Sequence, residues 1–157
     1  MKYLLAAVLA LCLASSSATA GERKPVKATQ EDKCPVCGMF VAKYPDFMAE
    51  ILFKDGSYAV FDGVKDMMKY YFNLAKYNPS KTLSDIDSIH VTDYYQLDFV
   101  DGFNAFYVVD SNVFGPMGKE IIPFGKEEDA GEFMVDHAGK HILRWDAITR
   151  DVVKGLD

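Results

Sequence analysis

Cysteine is scarce in this chain, three among 157 residues, and one of the three, Cys12, falls within the first twenty. No second pair stands beside Cys34 and Cys37 to complete a four-cysteine zinc site. A single tight bridge between those two would close too small a loop to stabilise a domain of this size by much, so the pair reads as chemical rather than structural. Basic residues are also in deficit, 17 Lys and Arg against 23 Asp and Glu, for a formal charge of −6. A chain of that sign repels polyanions, which removes nucleic acid from its partners. Beyond the first twenty residues no apolar run is long enough to cross a bilayer, so no direct membrane span is expected.

The first twenty residues carry one charge, Lys2, then an apolar run from Tyr3 to Leu13, then the small polar stretch Ala14 to Ala20. That is the layout of a secretory signal peptide, with Ala18-Thr19-Ala20 as the cleavage triplet and Gly21 as the mature N-terminus. The run of about 11 residues is shorter than the roughly 20 of a spanning helix. Cys12 lies inside that run and follows the bulky Leu11, which disfavours processing as a lipoprotein. The expected location is therefore the periplasm, with the protein free of a lipid anchor. Export leaves about 137 residues, enough for one domain or two small units, with 16 positive and 23 negative side chains, or −7. It also leaves only Cys34 and Cys37, in an oxidising compartment that favours a disulfide wherever two thiols meet.

Residues 21–33 are polar, contain Pro25 and show no apolar period, and read as a flexible N-terminal arm. Short strands are expected at Met39–Ala42, Met48–Phe53 and Tyr58–Phe61, the last two joined by Lys54-Asp55-Gly56-Ser57, a strong hairpin signal. Apolar residues at 64, 67, 68, 71 and 72 then have helical spacing, with Asp62 as N-cap and Asn78-Pro79 as the stop. Residues 76–87 read as a connector. The same grammar follows in the second half. Strands are expected at Ile89–Tyr95, Ala105–Val109 and Glu120–Phe124, a turn-rich loop at Asp110–Gly118 and an amphipathic helix at Gly125–Ala138. A short strand at Lys140–Leu143 and a helical turn or two over Trp145–Val153 close the chain. The expected class is α+β: one ββα unit over 34–78 and a second ββα-type unit over 88–157.

The chemistry concentrates in Cys34-Pro35-Val36-Cys37-Gly38-Met39. Copper(I) is a soft ion that prefers thiolate and thioether sulfur and accepts two to four ligands without a rigid geometry. In extended backbone Cys37 and Met39 would point to one face, and Gly38 between them removes a competing side chain. Met117, in Gly115-Pro116-Met117-Gly118, is a second sulfur candidate, because a loop methionine does little for a core; it could equally be an ordinary exposed residue. Met48, Met67, Met68 and Met134 fit core positions, and His90 fits a structural role in a strand. His137 and His141, four apart, could supply one more ligand, although Gly139 between them ends any shared helix. A thiol-disulfide oxidoreductase using Cys34 and Cys37 is the rival reading, but the residues after the pair do not read as the helix such an enzyme needs. A small domain with one stabilising disulfide and no metal is the third.

The run Cys-Pro-Val-Cys-Gly-Met-Phe-Val, the turn Phe61-Asp62-Gly63 into a helix, and Gly-Pro-Met-Gly-Lys-Glu followed by Ile-Pro-Phe resemble the NosL family, over about residues 31 to 150. Members of that family are copper-binding accessory proteins of nitrous oxide reductase. The resemblance implies a NosL/MerB-like fold of paired ββα units, also likened to the organomercurial lyase. It implies copper(I) ligands at Cys37, Met39 and Met117, with Cys34 as the further candidate. The expected function is a metallochaperone rather than an enzyme. Its implied partners are the reductase maturation machinery, a membrane transporter and its periplasmic partner, and a monomer is expected. Many relatives are lipoproteins, and the leader here departs from that pattern.

Overall fold

The structure, a computed structural model, describes residues 23–157. The expected signal peptide, its expected cleavage site and Cys12 lie outside the described residues. The first strand, β1 (Ala49–Phe53), turns through residues 54–57 into β2 (Tyr58–Phe61), and the two pair antiparallel with Ala49 opposite Phe61. Gly56 takes φ +91 in that turn, a conformation that favours glycine. Helix α1 (Val64–Phe72) follows, with a short α2 (Leu74–Tyr77) ending before Asn78-Pro79. Strand β3 (Ile86–Thr92) returns to the free side of β1, and β4 (Phe99–Asp101) pairs with β3, giving the order β2-β1-β3-β4.

The second half begins with β5 (Phe106–Val109). A small hairpin, β6 (Phe114–Gly115) and β7 (Gly118–Lys119), then precedes β8 (Ile122–Phe124), helix α3 (Glu127–Asp136) and β9 (His141–Leu143). A last helix, α4 (Arg150–Lys154), closes the chain. The three-stranded sheet has the order β8-β5-β9, all antiparallel. Each half thus shows one topology: a central first strand, a second strand on one side, a helix, and a third strand on the other side. The expected boundary at residue 88 falls inside β3, which belongs to the first sheet; each ββα unit is completed by the strand after its helix.

Alternation along β5 joins the two units. Tyr107 and Val109 enter the large core with Phe61, Met67 and Ile89, while Val108 turns to a smaller core with Phe124, Ala130 and Phe133 under α3. Met67, Met68 and Met48 are buried, and Met134 packs on the smaller core, so all four are packing residues as expected.

Three local expectations are corrected. Met39–Ala42 is not a strand: Phe40 makes an isolated bridge to Lys33, and Val41–Lys43 form a 3₁₀ turn. The described part of the 21–33 arm is held against the first sheet rather than loose. The Arg23 guanidinium donates to the Phe53 and Lys54 carbonyls, and the Val26 N–H donates to the Glu50 carboxylate at 3.1 Å. The same carboxylate meets His90 Nδ1 at 2.8 Å, and His90 is buried, as its structural role required. Finally, Gly63 rather than Asp62 is the N-cap of α1, with no side-chain cap of its own.

Candidate metal site

Cys34 through Met39 form a closed turn. The Gly38 N–H donates to the Cys34 carbonyl at 2.8 Å, the Cys34 N–H donates to the Met39 carbonyl at 2.9 Å, and Gly38 takes φ +80. A positive φ suits glycine there and breaks the extended geometry expected for Cys37-Gly38-Met39. The turn aims backbone N–H groups at sulfur instead. Those of Cys37 and Val36 act to lower the pKa of the Cys34 thiol, and that of Met39 to lower that of Cys37. Amides so placed favour the thiolate that a metal needs.

Opposite the turn stands the start of α1. Cys37 Sγ lies 3.2 Å from Asp62 Oδ1, and Cys34 Sγ lies 3.5 Å from Asp66 Oδ2. One donor atom from each of Cys34, Cys37, Asp62 and Asp66 can be chosen so that all four lie within 4.8 Å of one another. Both cysteines are free thiols. Burial pushes the Cys34 thiol far above its usual range, against the opposing pull of the Cys37 and Val36 amides. Burial likewise pushes Cys37 up to about 11, with the Met39 amide opposing and the Asp62 carboxylate adding to the rise. At neutral pH both sulfurs therefore carry protons and donate them to the aspartates.

Asp62 is 1% exposed, and among the described residues its carboxylate has the Cys37 thiol as its hydrogen-bond partner. Asp66, 2% exposed, has the Cys34 thiol and the Lys69 ammonium at 3.7 Å. Buried carboxylates held mainly by weak thiol donors are costly to the fold, which marks the cluster as chemical. Sequence reasoning missed both aspartates as site residues, since Asp62 looked like a helix cap. The usable signal was their spacing: acids four apart at a helix start share one face.

The candidate residues are distributed as follows. Cys34 is buried, while Cys37 and Met39 are half-buried in the turn. Met117 is 43% exposed at the tip of the β6–β7 hairpin, and its carbonyl accepts from Lys65 Nζ at 2.8 Å, which ties the tip to the helix that carries Asp66 and follows Asp62. His137 caps the end of α3 against Asn112, and His141 is exposed on β9; neither belongs to the cluster of cysteines and aspartates.

Fold and site define a small α+β protein that gathers two thiols and two carboxylates between a turn and a helix start, a donor set suited to a metal ion. The chain belongs to the NosL family, whose model matches residues 25–153. It is 25% identical over 162 residues to the copper-binding lipoprotein NosL of Stutzerimonas stutzeri, covering 94% of this chain and 81% of that protein. It shares its fold with the crystal structure of the copper chaperone NosL from Shewanella denitrificans, at a TM-score of 0.70 and 22% identity, over 82% of this chain and 97% of that one. The solution structure of apo-NosL from Achromobacter cycloclastes is 26% identical, over 67% of this chain and 87% of that one, with a TM-score of 0.47. The names of these relatives describe binding and carrying proteins, not enzymes.

Proposed function

We propose that the protein is a periplasmic carrier of copper(I), which it takes up at the Cys34–Met39 turn and hands to the assembly machinery of nitrous oxide reductase, a membrane transporter and its periplasmic partner. The observation that carries this reading is the convergence of both free thiols, with two buried carboxylates, on one point beside the start of α1. Soft sulfur in that number suits copper(I), and the copper named for the relatives supports the choice of ion. Met39 in the same turn and Met117 on the hairpin are the thioether donors that complete the set.

Thiolate is the ligand form, so copper(I) uptake must displace the thiol protons. The Asp62 carboxylate, already the acceptor of the Cys37 hydrogen bond, is placed to receive the proton displaced from that sulfur. Affinity then rises with pH from neutrality upward, because burial holds both thiols protonated and each proton competes with the ion. A carrier must also release its cargo. Met117, exposed at the hairpin tip, can exchange for a partner's ligand while the cysteines still hold the ion. No helix among the described residues is long and apolar enough to cross a membrane.

The electrostatics run against the redox reading. A thiol-disulfide oxidoreductase lowers the pKa of its attacking cysteine, whereas burial raises both thiols here. The two readings separate on oxidation. Closing the Cys34–Cys37 disulfide should abolish tight copper(I) binding, measured by competition with a chelator, and reductant should restore it; equal affinity in both states refutes the cysteines as ligands. Transfer of copper from the loaded protein to metal-free reductase with its transporter tests the delivery step.

A further inference from the structure

Between the hairpin and α1 lies a buried polar strut. Glu120 is 3% exposed, and its Oε1 accepts the Lys65 N–H at 2.6 Å and the Ile121 N–H at 2.9 Å. It thereby caps α1 from 55 residues away, a role that Gly63 has no side chain to fill. A Cβ on Gly63 would lie 2.2 Å from Glu120 Oε2, and one on Gly115 would lie 3.0 Å from the same oxygen. Gly63 has φ −179, which any residue adopts, so space rather than conformation demands glycine there. Gly63 and Gly115, one beside Asp62 and the other in β6, thus grip the same carboxylate. The second member is Lys65, 2% exposed, whose ammonium donates to the Met117 carbonyl at 2.8 Å and to the Leu156 carbonyl at 3.3 Å. The Asp157 carboxylate lies 3.9 Å from the same ammonium, so Lys65 ties the hairpin tip and the chain's last residues to α1 and fixes where Met117 stands relative to Asp62 and Asp66.

We propose that Lys65 and Glu120 are positioning residues for copper(I), holding the Met117 tip at the helix start so that the thioether is preorganised toward the thiols. The strut joins the two units at the one place where the second contributes to the site, and it explains the glycines around Met117. Gly115 admits the Glu120 carboxylate, and Gly118, at φ +87, closes the turn. Preorganisation adds affinity by removing the cost of ordering a ligand loop on binding. The proposal rests on the reading of Met117 as a ligand.

A double-mutant cycle with Lys65→Leu and Met117→Leu tests it, with copper(I) affinity read by chelator competition and sulfur coordination read by X-ray absorption. Lys65→Leu should weaken binding by about tenfold and remove one sulfur from the copper shell; the double variant should bind no more weakly than Met117→Leu. If Met117→Leu weakens binding and Lys65→Leu leaves affinity and sulfur count unchanged, the strut does not position the ligand. Additive losses in the double variant with an unaltered sulfur count would make Lys65 a general stabiliser and also overturn the proposal. If Met117→Leu itself binds as tightly as the parent, the ligand reading fails, and the strut's role in copper binding fails with it. Should Lys65→Leu not fold, Lys65→Gln, which shortens the reach while keeping a polar head, is read against the same outcomes.

Discussion

The two units share one topology and put the same kind of residue to opposite uses at the start of their helices. In the second unit α3 opens with Glu127, Glu128 and Asp129, the first two exposed, where they complement the helix dipole. In the first unit the acids Asp62 and Asp66 are buried and turned onto two thiols. Beneath α3 lies an aromatic core, with Phe133 5.0 Å from the rings of both Phe124 and Tyr94. Unit two is thus scaffold, apart from its inserted hairpin, whereas unit one gives up stability at its helix start to hold a reactive cluster.

The largest expected effect separates scaffold from site. Phe133→Ala should cost about 3–5 kcal/mol in chemical denaturation while leaving the copper(I) stoichiometry and affinity of the folded fraction unchanged. A loss of affinity in that variant would mean that the second unit does more than support.

Next comes the seam between the units. Burial pushes the Glu120 carboxyl from an ordinary 4.5 up to about 7, against the amides of Ile121 and Lys65. Below pH 4.5 the group is protonated whether the chain is folded or not, and its burial costs no charge. As pH rises the unfolded chain ionises first, so this contribution to stability declines and is lost as pH passes through about 7, by about 3 kcal/mol in all. Glu120→Gln should flatten the urea midpoint over that window. An unchanged slope would show that Glu120 is not the group responsible.

The smallest effects should have opposite signs. Glu127→Gln on α3 removes a favourable dipole contact and should cost about 0.3–1 kcal/mol. Asp62→Asn replaces a buried charge with a neutral amide and should stabilise the metal-free protein, by about 1 kcal/mol, while weakening copper(I) binding. Thermal melts of the two metal-free variants decide it, and a shared sign would erase the contrast between the helix starts.

Much of the fold was legible in the sequence because its signals are local. Asp55-Gly56 marked the β1–β2 hairpin, the spacing of Val64, Met67 and Met68 marked α1, and Asn78-Pro79 marked its end. The unit boundary was not legible, because β3 joins β1 through pairing some 40 residues distant, with Glu50 opposite His90. At the site, residue types pointed to sulfur chemistry at Cys34 and Cys37, but the reason offered for Cys37 and Met39, an extended strand, gave way to a turn set by Gly38. Asp62 and Asp66 were hidden because a capping acid and a ligating acid look alike until the partner that faces them is known. Glu120 and Lys65 were hidden for the same reason, each acting on backbone more than 50 residues away.

Whether the Cys34–Cys37 turn holds copper(I) is decided by an anaerobic titration of the reduced protein with the ion, against a calibrated chelator. The expected result is one copper per chain, with Cys37→Ser weaker by at least about a hundredfold, roughly 2.7 kcal/mol. Parent and Cys37→Ser binding with the same affinity would contradict it.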